Sequence, residues 1–182
     1  MSDTDTLQAL ARRVARLEAM EDIRRLRQMS AEAADPFMEI DALVGLYVPD
    51  GVMEFLSFGT SYRGHDQIRA FLEVNAFTWM FHCLIPLRID VADDLQSATA
   101  RWYLLEAATV HNGRTGAYDP VWLAGRYEDR VVRVDGQWKF AHTSLTLELL
   151  CDYAEGWGTN RVNVNPDWVG KAQALMETIR RR

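Results

Sequence analysis

Apolar residues recur every three or four positions from Thr4 to Ala34, the spacing of an amphipathic helix. The stripe changes phase along the way. Leu7, Leu10, Val14 and Leu17 keep a/d heptad spacing, a seam that calls for a partner. From Ile23 the apolar positions become Ile23, Leu26, Met29 and Ala33, and Glu21-Asp22 at the change predicts a break or kink. The helix must stop by "ADP", because a residue before proline avoids the α region. A second helix is expected over Met38–Tyr47, closed by a turn at "VPDG". Short strands at "VMEFL" and "SYRG" come next. The stretch "GHDQIRAFLEVNAF" predicts a third helix with Ile68, Phe71 and Leu72 inward.

After Trp79 the period drops from about 3.6 residues to about 2, the change from helix to strand. Long strands are expected over Trp79–Val91, Ala98–His111, Val121–Val134 and Gln137–Cys151, separated by the turns "VADDLQ", "HNGRTG" and "VDG". Such spacing makes the sheet largely antiparallel. "YAEGWGTNRVNVN" reads as loop, and residues 166–182 as a closing helix with Pro166 in its first turn. Helices followed by long antiparallel strands give an α+β domain spanning residues 1–182, with residues 1–20 as a helical arm.

Composition narrows the function. A chain of 182 residues, 48% hydrophobic and 25% charged, fits one folded domain and not a disordered segment. The net charge of -6 points away from nucleic acid or an anionic membrane as partner. No stretch is apolar enough to span a bilayer, and the first residues lack the apolar core of a signal peptide. Cys83 and Cys151 form no disulfide framework, so a reduced, cytoplasmic protein is expected. There is no Walker loop, GxGxxG or HExxH motif, and no ligand pair at i,i+4 spacing, so neither metal nor cofactor is expected.

Two residues sit oddly on apolar strands. In "WMFHCLIPLRIDV", His82 lies between Met80 and Leu84 on one face, with Cys83 on the other. It is either a core histidine with one hydrogen-bond partner or a general base in a pocket. In "ARWYLLEAATV", Glu106 shares a face with Trp102 and Leu104, where a carboxylate loses hydration unless a cation or donor pairs with it. A strand-end salt bridge and a site role stand equal for Glu106. Asp35 reads as a turn residue before Pro36, and gains meaning if it reaches His82, since a carboxylate on one imidazole nitrogen makes the other a better base. His142 shares a face with Trp138 and Phe140 and favours a structural role. Six tryptophans are many for this length, and Trp102 and Trp122 are candidates to line a site for a flat apolar ligand.

The segments "LEAMEDIRRLRQMSAEAAD", "DALVGLYVPDGVMEF", "YRGHDQIRAFL", "FHCLIPLRIDV", "ATARWYLL" and "GRYEDRVVRVDGQWKFAH", in this order, resemble the SnoaL-like branch of the nuclear transport factor 2-like superfamily over residues 17–151. The resemblance implies a cone: a curved antiparallel sheet around a deep pocket, closed by N-terminal helices. Similar members include bile-acid 7α-dehydratase, hexachlorocyclohexane dehydrochlorinase and scytalone dehydratase. By that resemblance Asp35 and His82 match a carboxylate–histidine dyad, and Glu106 matches a second carboxylate after "RWYL". Relatives carry a tyrosine or lysine at the place of Ser30, and the dehydrochlorinase an arginine near Thr143. Tyr62, Tyr47, Ser30 and His142 are left to hold the polar end of a substrate, Tyr62 first among them.

Three functions compete. One is a cofactor-independent lyase on a hydrophobic, ring-containing molecule, expelling water, halide or a small carbonyl such as formaldehyde. The second is an isomerase or cyclase using the same dyad. The third is a non-catalytic ligand-binding module, such as a dioxygenase small subunit. The heptad seam adds the expectation of a homodimer or homotrimer.

Overall fold

A computed structural model describes residues 3–171. Helix α1 runs unbroken over Asp3–Ala34, so the expected break at Glu21-Asp22 does not occur. The phase change has another cause. The first turns stand clear of the domain, with Leu7, Leu10, Val14 and Leu17 exposed, and burial begins at Ala19 and continues through Ile23, Leu26, Arg27, Ser30, Ala33 and Ala34. Arg16 fastens the helix where it meets the sheet, donating to the Val91 carbonyl at 2.8 Å and pairing with Asp93 at 2.7 Å. The Asp35 amide closes the last turn on the Ala31 carbonyl at 2.8 Å, and the Asp35–Pro36 peptide is cis.

Helix α2 is shorter than expected, Ile40–Gly45. Strand β1, Tyr47–Phe55, absorbs the predicted "VPDG" turn. Tyr47 pairs with Phe140 and Val52 with His142, so the four residues between them bulge from the ladder instead of reversing the chain. Strand β2, Thr60–Arg63, and helix α3, Gly64–Val74, follow.

Four long strands make the body of the sheet: β3 (Phe77–Val91), β4 (Ser97–His111), β5 (Tyr118–Val134) and β6 (Gln137–Asp152). The order is β2-β1-β6-β5-β4-β3, antiparallel throughout except for the parallel β1–β6 pair. Bulges bend it, since an extra residue on one strand kinks the ladder. On β6, Phe140 pairs with Val131 and His142 with Arg130, leaving Ala141 as an extra residue; Glu148 is another, between Leu147 and Leu149. At the second bulge, a Cβ on Gly125 would come within 2.2 Å of the Thr146 carbonyl oxygen, so only glycine fits there.

Helices α1, α2 and α3 pack on the sheet around one apolar cluster that includes Ile23, Leu26, Ile68, Trp102 and Phe140. A second cluster, with Met80, Leu104, Leu123, Leu145 and Leu147, surrounds the cavity described below. The reverse faces of β3 and β4 leave Phe81, Ile85, Tyr103 and Leu105 exposed. No helix among the described residues is long and apolar enough to cross a membrane.

The closing helix expected from Pro166 does not start there. Residues 166–170 instead turn across the sheet end: the Val169 amide donates to the His111 carbonyl at 3.0 Å, and the Trp168 indole to Asp119 at 2.9 Å. The stretch from residue 172 lies outside the described residues.

Candidate active site

The concave side of the sheet encloses a cavity of about 270 Å³, near the lower end of what small-molecule sites span. Its walls are mostly apolar, with Met38, Phe55, Phe71, Leu84, Leu123 and Leu147 among them. Val164 and Phe58 at one end are about half exposed, whereas Arg27, Ser30, Tyr47 and Thr143 at the other are buried. The cavity therefore has a mouth and a floor.

His82 and Glu106 meet on the wall, and Asp35 backs His82. His82 on β3 and Glu106 on β4 are direct cross-strand partners, so their side chains share the concave face. The end of α1 brings Asp35 against β3. One carboxylate oxygen of Asp35 accepts the His82 backbone N–H at 2.7 Å, and the other lies 2.6 Å from His82 Nδ1. A carboxylate can only accept, so Nδ1 carries the proton and Nε2 is the free nitrogen. Nε2 lies 3.3 Å from Glu106 Oε2. The three groups form a line, with imidazole in the middle and both ends carboxyl.

Electrostatics follow from the burial. Loss of water pushes the Glu106 carboxyl up to about 7 against the pull of His82. Burial alone would lower His82, but the hydrogen bond to Asp35 and the charge of Glu106 outweigh it, and its pKa stands above the ordinary value. His82 Nε2 and Glu106 therefore both hold a proton to higher pH than usual, and they titrate as a pair.

A second polar group occupies the floor. Arg27, on α1 two turns before Asp35, is buried, with its guanidinium carbon 3.5 Å from the centre of the Tyr127 ring. Asp129 Oδ2 lies 3.8 Å from Arg27 Nε, too far for a hydrogen bond, and accepts the Trp102 indole N–H at 2.8 Å instead. Arg27 Nε and Asp129 Oδ1 are both buried without a hydrogen-bond partner, a state that costs about 1–3 kcal/mol per group. Nearby, the Tyr47 and Thr143 hydroxyls bond each other at 2.8 Å. Burial drives the Tyr127 hydroxyl up to about 12 and Tyr47 further still, so both stay protonated donors.

The SnoaL-like domain family matches residues 15–144, most of the chain and all of this site except β6 beyond Ser144. The chain is a SnoaL-like protein. No curated protein matches it significantly. Solved structures do. A candidate scytalone dehydratase from Novosphingobium aromaticivorans DSM 12444 is 26% identical with a TM-score of 0.65, covering 76% of this chain and 90% of that one. A candidate aromatic ring hydroxylase from Novosphingobium aromaticivorans DSM is 24% identical, TM-score 0.66, covering 76% and 96%. Hexachlorocyclohexane dehydrochlorinase (LinA) type 2 shares the fold at 16% identity, TM-score 0.65, covering 84% and 97%.

Within this SnoaL-like cone the expected residues divide. Asp35, His82 and Glu106 come together, and Tyr47 and Ser30 border the cavity. Four others do not border it. Trp102 is on the expected face but lies where α1 covers the sheet, so it fills core and donates to Asp129. Trp122 is on the outward face of β5, against Tyr153. Tyr62 stacks on Phe71 at 4.3 Å and supports the wall from behind. His142 is turned away by the Ala141 bulge and bonds Glu54 at 2.9 Å, while Thr143 takes the inward place. Arg27 and Tyr127 were not among the expected residues. The signal for Arg27 was present: it stands four residues after Ile23 and seven before Ala34, on the buried stripe of α1. Among the described residues, no group of three or more His, Cys, Asp or Glu side chains could hold a metal ion.

Proposed function

We propose that this SnoaL-like protein is a cofactor-independent lyase acting on a hydrophobic, ring-containing small molecule. The observation that carries the reading is the Asp35–His82–Glu106 line on the wall of an apolar cavity. Asp35 holds Nδ1–H and turns Nε2 toward the substrate space, as a general base requires. Glu106, pushed up to about 7, keeps its proton in about half of the molecules at neutral pH, and in that form serves as the acid.

For loss of water the steps balance within the line. His82 Nε2 takes a proton from the carbon beside the carbinol, the C–O bond breaks, and Glu106 gives its proton to the departing oxygen. Water and an alkene result. Imidazolium and carboxylate are then left side by side, and one proton passing from Nε2 to Glu106 restores the starting state. The candidate scytalone dehydratase and the dehydrochlorinase among the solved relatives support elimination as the reaction class. Halide or formaldehyde as leaving group would use the same base.

Incubation with a panel of aryl-substituted secondary alcohols, followed by mass spectrometry, tests the reading. A product lighter by one leaving molecule, absent with His82→Ala, is the expected result. A product of unchanged mass would replace it with isomerisation or cyclisation by the same dyad. Tight binding without turnover would make the chain a ligand-binding module.

A further inference from the structure

A lyase of this kind must orient its substrate as well as deprotonate it, and the wall line does not explain the cavity floor. There, a permanently charged guanidinium borders the cavity with a side chain only 5% exposed. Its five N–H donors require acceptors once water is removed. The nearest carboxylate, Asp129, is not part of the cavity wall and keeps Oδ2 for the Trp102 indole. Arg27 Nε has no hydrogen-bond partner at all. Tyr127 supports the flat face of the guanidinium, 3.5 Å from its ring centre, and its hydroxyl interacts with Arg27 as well, which leaves Nε as the donor without a partner. On the same floor, Tyr47 and Thr143 bond each other at 2.8 Å and Ser30 spends its hydroxyl on the Arg27 backbone carbonyl at 2.7 Å, and all three border the cavity together with Arg27.

We infer that the cavity floor is an oxyanion subsite in which Arg27, with the hydroxyls of Tyr47 and Thr143 beside it, holds an anionic oxygen borne on the substrate's ring. The inference rests on the lyase reading for the word substrate, and on the floor geometry for the rest. An aryl carboxylate and a phenolate present the same chemistry there. In either case the charged oxygen sits at the buried end, the ring lies along Phe55, Phe71 and Leu147, and the side chain to be cleaved comes to rest against His82 and Glu106. Neutral molecules of the same shape would lose the charge-assisted bonds, each the stronger kind of hydrogen bond. An anion also offers Arg27 Nε the hydrogen-bond acceptor that Asp129, 3.8 Å away, does not supply.

Calorimetric titration with four ligands tests this without any turnover. 2-Naphthoate is compared with 2-naphthamide for the carboxylate source, and 2-naphthol above its ionisation with 2-methoxynaphthalene for the phenolate source. Wild-type protein is expected to prefer the anion of at least one pair by roughly 10- to 100-fold, the worth of a hydrogen bond to a charged group. Arg27→Gln is expected to abolish that preference while the neutral partner binds as before, and Arg27→Lys to retain part of it. The pair that shows the preference identifies the source. Ratios near one for both pairs in wild type, or failure of all four ligands to bind, overturn the inference even if Arg27→Gln does not fold. An unaltered preference in a folded Arg27→Gln protein overturns it as well. His82→Ala should keep the preference. If that variant and the wild type both prefer the anion but no elimination is ever found, the lyase reading fails and the subsite stands.

Discussion

The cavity holds two buried polar clusters built on opposite plans. On the wall, Asp35, His82 and Glu106 are linked at 2.6–3.3 Å, and two of the three titrate above their ordinary range. On the floor, Arg27 and Asp129 stand 3.8 Å apart with unpartnered buried atoms on both, and the guanidinium keeps its charge at every accessible pH. Short contacts between a base and an acid that both hold their protons to higher pH than usual let a proton move. A fixed charge with a donor left unpartnered can take an acceptor from outside, as proposed above for Arg27. Burial alone does not define a site: under the proposed reading, the same low-dielectric enclosure would serve one cluster as a proton relay and the other as an anchor.

The largest effect is expected from removing the His82–Asp35 pair. His82→Ala and Asp35→Asn should each cost about two to four orders of magnitude in turnover. Their combination should cost little more than either alone, because they act as one unit. Single-turnover rates for the three proteins decide it, and additive losses would count against a coupled dyad. On the floor, Asp129→Ala should act on stability: it leaves Arg27 as an uncompensated buried charge, a change worth about 3–5 kcal/mol in denaturant unfolding. The base of the wall cluster would be untouched.

Glu106→Gln sharpens the contrast through pH. Glu106 holds its proton more tightly when folded, so its contribution is complete below an ordinary carboxyl pKa of about 4.5 and is lost as pH rises through about 7. That loss amounts to about 3 kcal/mol. His82, also raised, adds to it in the same direction. The glutamine variant should therefore be slower in turnover yet more stable than wild type at pH 8, with no such gain at pH 4. Equal pH dependence of unfolding in both proteins would contradict a buried, proton-holding Glu106. The smallest expected effect comes from the arm. Deleting residues 1–16 removes the exposed Leu7, Leu10 and Val14 and the surface pair Arg16–Asp93, worth at most about 1 kcal/mol. Both clusters should survive, while light scattering should show a lower mass if the seam joins copies of the chain. An unchanged mass, or a monomeric intact protein, would remove that role.

Much of the wall cluster is legible in the sequence itself. Strict alternation on β4 puts Glu106 among apolar residues, and alternation on β3 does the same for His82. What alternation cannot give is register, and it is register that places these two directly opposite each other. His142 shows the limit from the other side. One extra residue, Ala141, reverses the faces up to the next bulge at Glu148, so Thr143 turns in and His142 out. Trp102 shows a third limit: the face is right, but its height on the strand puts it under α1 and not in the cavity. The floor is legible in principle, since Arg27 falls on the buried stripe of α1 and Asp129 on the inward face of β5 with Val121, Leu123 and Val131. Each alone passes for a surface charge. Only the folded chain brings them together.

The most direct test of the relay needs no substrate. Nitrogen-15 spectra of labelled histidine, assigned through His82→Ala, report which ring nitrogen holds the proton. Once the imidazole is neutral, Nδ1 should be protonated, with its hydrogen shifted far downfield by the 2.6 Å bond to Asp35, and Nε2 should be bare. Asp35→Asn should abolish the downfield signal. A neutral His82 with Nε2 protonated and Nδ1 bare would leave no base facing the cavity and would contradict the account at its centre.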